Sequence, residues 1–262
     1  MITVLTPTYN RVHTLPRLHA SLLMQTSKRF EWILVDDGST DSTRLWFESN
    51  VVNSRLAARY VFQKNGGKHV ALNKGVAVAS FGWILIVDSD DALTSDAIST
   101  LLRDLEKHEN DELVGLCYRR AYFNSEVVGT AVRSTEPRFF HPTKLAQIVK
   151  GDLAYVFRKD VMSLHPFPVI EGETFVPELY IWNKIGDEGN ILVFLSKAIY
   201  LCEYLRDGYT VNFRANLRKN PRGFGVFYRS QIMRDPSVFN KVKYATRTVQ
   251  CFFYSLIRSF KQ

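Results

Sequence analysis

The segment Trp83-Ile84-Leu85-Ile86-Val87-Asp88-Ser89-Asp90-Asp91 decides how this chain is read. Five apolar residues in a row are strand-sized, and with no polar position among them both faces of that strand need cover. A strand covered on both faces belongs to a parallel sheet flanked by helices. The acidic run stands at its carboxyl end, where open α/β sheets bind ligands. Asp and Ser also form ordinary turns. Position after a fully apolar strand is what turns the string into a candidate site.

Outward from this point, strand and helix signals alternate. Residues 2–5 are β-rich and stopped by Thr6-Pro7, and residues 13–24 carry Leu15, Leu18 and Leu22 at helical spacing. Residues 32–35 form a second buried-type strand ended by Asp36-Asp37-Gly38. Residues 41–47 read as a helix, with Ser39 or Thr40 available as caps. A third strand at 59–62 leads into Asn65-Gly66-Gly67 and a helix at 70–79, and a helix at 96–108 follows Ser95. This alternation predicts an α/β fold with a Rossmann-like, mostly parallel central sheet. Thr6 to Asn10, Asp36-Asp37 and Asp88 to Asp91 then meet at one crevice.

Beyond residue 110 the pattern loosens. Strands are expected at 114–122, 127–132, 152–157 and 191–204, and helices at 142–149, at 175–185 around Pro177, and at 238–262. Three stretches follow: 1–110 and 111–210 as two halves of one domain, and 211–262 as a basic helical extension. There is no internal repeat.

The 262 residues are 46% hydrophobic and 13% aromatic, which supports a packed core and excludes disorder. Cys117, Cys202 and Cys251 are an odd, widely spaced set, so neither a disulfide framework nor a cysteine metal site is expected. MITVLTPTYN lacks the basic and long apolar regions of a signal peptide, and no apolar run approaches the roughly 20 residues of a membrane span. A cytoplasmic location is expected, with the inner face of the membrane as the alternative. The formal charge of +8 and pI near 9.4 suit phosphorylated substrates, anionic lipid or nucleic acid.

Carboxylates one residue apart on a strand-end turn, as in Asp88 and Asp90, can meet a hard divalent cation that keeps positions open for phosphate oxygens. Such an ion offsets charge growing on a departing diphosphate. Asp36 and Asp37 can accept hydrogen bonds from a base or ribose. Tyr9 can stack on a nucleobase.

Four ordered motifs now resemble family 2 glycosyltransferases: Thr6-Pro7-Thr8-Tyr9-Asn10-Arg11, Val35 to Asp41, Asn65-Gly66-Gly67-Lys68 with Ala71-Leu72-Asn73-Lys74-Gly75, and Asp88-Ser89-Asp90-Asp91. The resemblance spans about the first hundred residues. It implies a GT-A fold, a nucleotide-sugar donor, usually UDP-linked, and inversion at the anomeric carbon. It implies that Pro7, Tyr9 and Asp37 surround the base and that Lys68 and Asn73 lie near the nucleotide. Asp88 would sit by ribose and metal with Ser89 beside it, and Asp90 would ligate Mn2+ or Mg2+.

Many such enzymes carry an acidic pair at the start of a helix in the second half, where the second acid is the base. The Glu-Asp pair is absent here. Glu178, ahead of Trp182, fits the role best, and Glu173 is the alternative. Asp152 could touch donor or acceptor. The six histidines show no ligand pairing and none is assigned a catalytic role.

Val242, Ala245, Val249, Phe252, Phe253, Leu256, Ile257 and Phe260 form one helical stripe, with Lys241, Lys243, Arg247, Arg258 and Lys261 around it. Upstream, basic and aromatic residues interleave between Phe213 and Arg229. Such a helix can lie on an anionic membrane surface or pack on the domain or a second copy, leaving a homo-oligomer open. The acceptor expected is a surface-glycan saccharide, of capsule or lipopolysaccharide type, or a lipid-linked one.

Two other functions are weighed. A nucleotidyltransferase making activated sugars generally has a Gly-rich basic loop after the first strand, where this chain has Pro7-Thr8-Tyr9-Asn10. A nucleic-acid-binding protein would need its polyanion in a crevice lined with acids. Both features argue against these readings, of which the nucleotidyltransferase stays the first alternative, and no nucleic-acid partner is expected.

Overall fold

The computed structural model describes residues 1–108, 110–130, 136–203 and 213–259. Strands β1 (Ile2–Thr8), β2 (Phe30–Asp36), β3 (Ala58–Phe62) and β4 (Trp83–Ile86) lie parallel in the order β3-β2-β1-β4. Helices α1 (Leu15–Leu23), α2 (Thr43–Asn50) and α3 (Lys68–Val78) connect them. Every residue of β1 and β2 is buried. Period-two alternation sends Trp32 and Leu34 to one layer and Ile33 and Val35 to the other. The α1 leucines cover the first face, and Ala71, Leu72 and Val76 of α3 cover the second. Gly75 lets α3 settle on β1, since a Cβ there would stand 2.1 Å from a Leu5 methyl.

The second half extends the same sheet. β5 (Ala92–Leu93), α4 (Ala97–His108), β6 (Leu113–Tyr122), β7 (Arg138–Phe139), α5 (Pro142–Ile148), β8 (Leu153–Arg158), α6 (Lys159–Leu164), α7 (Leu179–Glu188) and β9 (Asn190–Cys202) follow in sequence. Strand order continues β4-β8-β6-β9-β5, with β7 on β9. β1 to β4, β6 and β9 run one way, and β5, β7 and β8 the other. The result is a GT-A fold with a mostly parallel sheet between helical layers.

Three helices complete the chain: α8 (Phe213–Lys219), α9 (Pro221–Arg234) and α10 (Val238–Ser259). Leu217, Phe224, Tyr228 and Cys251 give them a small core of their own, closed by Phe175 from the main domain. All three cysteines are buried and free.

Some elements depart from the sequence reading. Ser39 and Thr40 do not cap α2. Ser39 Oγ accepts from Asn10 N and Asn10 Oδ1 from Thr40 N, stitching the loops after β1 and β2 together. The strand expected at 127–132 is reduced to a single bridge between Val127 and Ala121, because the chain reverses within Tyr122–Glu126 and then drops Val128 into the core. Residues 131 and 132 lie outside the described set. The helix expected at 175–185 begins only at Leu179, since Pro177 disfavours helical backbone in the residue before it. Residue 204, the boundary between 210 and 211, and the stripe residues Phe260 and Lys261 also lie outside the described residues.

Candidate active site

Parallel register brings the strand ends level. Thr8 pairs with Asp36, and Leu5 pairs with Ile86 one residue before Val87. The three polar clusters therefore border one cavity of about 930 Å³. That volume lies in the range of small-molecule sites. Pro7, Tyr9, Asp37, Lys68, Asp88, Ser89, Asp90 and Glu178 all line it, as do Arg11, Asp91 and Asp152. Tyr9 leaves 48% of its surface free, so its ring is available to stack on a ligand.

Asp37 works on the backbone beside it. Its Oδ1 accepts from Gln63 Nε2 at 2.7 Å and Gly66 N at 2.8 Å, and its Oδ2 from Gly67 N at 2.7 Å. The carboxylate thus shapes the loop that enters α3. Gly67 sits at φ 95°, and a Cβ there would meet Thr174 O at 2.0 Å. Only glycine tolerates both conditions. Asp36 accepts from Ser39 N and Tyr60 Oη and does not line the cavity.

Lys68, the first residue of α3, projects across the floor. Its ammonium pairs with Asp88 on one side and lies 2.7 Å from Glu178 Oε1 on the other. Burial opposes its charge, but Asp88 and then Glu178 more than reverse that, holding its pKa above the ordinary lysine value. Burial likewise pushes the Asp88 carboxyl up, and Lys68 with Arg120 outweigh it, so Asp88 titrates below the usual range. Asp90 is shifted the other way, by burial and then by the negative charge of Asp88.

That asymmetry tests the fit for a metal. Asp88 and Asp90 are close enough to repel, and a hard cation between them would remove the penalty on Asp90. Among the described residues no group of three His, Cys, Asp or Glu gathers. As a pair they would suit an open site, whose other positions would go to water and phosphate oxygens.

Two expected residues lie elsewhere. Asn73 uses its amide on the backbone of Phe167, donating to the carbonyl and accepting from the N–H, each at 2.8 Å, and does not border the cavity. On α3 it stands more than a turn from Lys68, which carries it to the helix-covered side. Glu173, the alternative base, is 7% exposed and accepts from Arg222 N at 2.9 Å and Gly223 N at 2.8 Å. It caps the first turn of α9, whose N–H groups have no partner within the helix. Both of its oxygens are taken by these bonds, and Glu173 does not line the cavity.

Sequence reasoning missed Arg120. It projects from β6 with its guanidinium 3.4 Å from both Asp88 and Asp91, stacked at 4.1 Å over the Tyr200 ring. Tyr200 donates to Asp91 Oδ2 at 2.7 Å and accepts from Asp88 N at 2.8 Å. Two adjacent arginines, Arg119 and Arg120, near the carboxyl end of an otherwise apolar strand were the available signal. Also unforeseen is the wall made by Ala215, Asn216 and Lys219 of α8.

A sheet of this topology with acidic strand ends around one cavity has the architecture of a GT-A domain. Residues 3–158 match the family model described as glycosyl transferase family 2. The chain belongs to that family. It is 35% identical over 119 residues to the glycosyltransferase GlyG of Streptococcus pneumoniae serotype 4, covering 45% of this chain and 39% of that one. It is 32% identical over 117 residues to a PGL/p-HBAD biosynthesis glycosyltransferase of Mycobacterium bovis, covering 44% and 45%. The chain thus spans less than half the length of these curated relatives. Residues 1–349 of S. aureus TarS, solved with UDP-GlcNAc, superpose with a TM-score of 0.73 at 18% identity over 97% of this chain and 72% of that chain. A Pyrobaculum calidifontis mannosyltransferase solved with GDP-Man and Mn2+ gives 0.57 at 17% identity over 100% and 75%. Both likenesses are of fold.

Proposed function

We propose that this chain is an inverting glycosyltransferase. It moves a sugar from a nucleotide-sugar, UDP-linked in our reading, to a hydroxyl of a saccharide or lipid-linked saccharide. The observation that carries this is Lys68 between Asp88 and Glu178. One ammonium joins a carboxylate on the donor side to one at the mouth of α7, so donor and acceptor chemistry meet at a single point.

Pro7 and Tyr9 hold the base, and Asp37 contributes through the loop it fixes. Asp88 and Asp90 would hold Mn2+ or Mg2+, with Ser89 between them at the nucleotide. When bound, the ion supplies positive charge to the diphosphate. Glu178 takes the proton of the acceptor hydroxyl. The acceptor oxygen forms its bond to the anomeric carbon from the face opposite the diphosphate, the bond from that carbon to the diphosphate oxygen breaks, and its electron pair leaves with the nucleoside diphosphate. Lys68 stands where it can pair with that leaving charge, which frees Glu178 from its own ion pair. Tyr155, Phe175 and Trp182 also line the cavity.

Incubation with UDP-GlcNAc, UDP-glucose, UDP-galactose and GDP-mannose, with Mn2+ and a saccharide panel, tests the reading. Release of a nucleoside diphosphate from one donor is expected. Pyrophosphate release instead would mark a nucleotidyltransferase and overturn it.

A further inference from the structure

The positive charge of the chain is concentrated. Residues 213–259 carry ten Lys and Arg against one acid, and that acid, Asp235, is buried and accepts from Gln147. α10 has no acid at all.

The two sides of α10 differ. Tyr244 and Cys251 pack on Phe224 and Tyr228 of α9. About half a turn round the helix, Phe239 is 79% exposed, Val242 61%, Phe252 60%, Phe253 57% and Ile257 53%. With Val249 these residues fill an arc of roughly 140°, interrupted only by Thr246, at 100° per residue. Lys241 and Lys243 stand on its two borders. Arg258 and Arg247 turn inward instead, the first donating to the Lys219 and Gly172 carbonyls and the second lying over the Phe213 ring.

The geometry points to α10 as a helix that lies in the plane of an anionic membrane surface. Its apolar arc matches acyl carbon and its bordering lysines match negative head groups. No described helix is long and apolar enough to cross a membrane, so the contact is parallel to the surface. A second copy is a poor occupant. Twofold pairing through this face would bring together two lysine-bordered surfaces with no carboxylate on either α10 to answer them. α8, α9 and α10 share one core and α8 walls the cavity, so anchoring α10 also anchors that wall. An enzyme held there meets acceptors embedded in the same surface. The membrane contact itself does not depend on the proposed transfer reaction.

Flotation of the full chain with vesicles of phosphatidylcholine, with and without phosphatidylglycerol, provides the test. The protein should float with the anionic vesicles only, and high salt should weaken the binding. Replacing both border lysines, Lys241→Gln with Lys243→Gln, should weaken it about thirtyfold. Phe252→Ser with Phe253→Ser should remove it, with circular dichroism unchanged because both rings face solvent. Equal flotation with neutral vesicles, or none with either, would overturn the inference. So would a dimer in light scattering that the phenylalanine variant dissolves, which would assign the face to a second copy.

Discussion

Lys68 Nζ lies 2.7 Å from Glu178 Oε1, joining the first turn of α3 to the residue that opens α7. The two residues are far apart in sequence, and each sits at a helix start that faces the cavity. The pair also explains how Asp88 stays charged against burial, since the same ammonium reaches it.

Removing that ammonium should damage transfer more than folding. Lys68→Met is expected to lower kcat/KM by about ten- to a hundredfold, the worth of one or two charge-assisted hydrogen bonds. Steady-state kinetics beside a thermal melt would measure both. Kinetics like those of the unaltered chain would show that Lys68 only fills space.

The two candidate bases separate cleanly. Glu178→Gln should cut turnover by about 10²–10⁴ while the melting temperature stays close to that of the unaltered chain. Glu173→Ala should do the reverse, costing about 1–2 kcal/mol through loss of the α9 cap while leaving turnover at low temperature largely intact. Swapped outcomes would reassign the base to Glu173.

These two residues also show what the sequence conveys. Apolar periodicity made β1, β2, β4 and their helices legible, because a buried strand or helix face repeats a local pattern. The carboxyl-edge clusters followed from topology alone. Position ahead of Trp182 favoured Glu178, but what sets Glu173 apart is the distant α9 backbone that claims it, which no local pattern shows. The role of Arg120 was hidden for the same reason: its partners Asp88, Asp91 and Tyr200 come from two other segments. Asn73 fell in a recognisable motif, yet its hydrogen bonds go to Phe167, a contact no local pattern announces.

Gly67→Ala should destabilise the chain by about 2 kcal/mol or more, because positive φ and a backbone carbonyl at 2.0 Å act together. Denaturant unfolding would measure the loss. A variant as stable as the parent would mean that the Thr174 segment yields freely.

Arg120→Leu removes one partner of a buried charge cluster and leaves Asp88 and Asp91 facing each other. A loss of about 3–5 kcal/mol is expected. Arg120→Lys should recover only part of it, since a single ammonium cannot reproduce the planar fork that spans both carboxylates over the Tyr200 ring. Full recovery by lysine in chemical denaturation would reduce the role of Arg120 to bare charge.

In the proposed reaction Asp88 and Asp90 hold a cation against the diphosphate of a nucleotide-sugar. Nucleoside diphosphate release, measured with Mn2+ and with EDTA for the unaltered chain and for Asp90→Asn, tests it most directly. Release should need the metal and be lost in a variant that melts at the same temperature. Undiminished release in EDTA, or from Asp90→Asn, would contradict it.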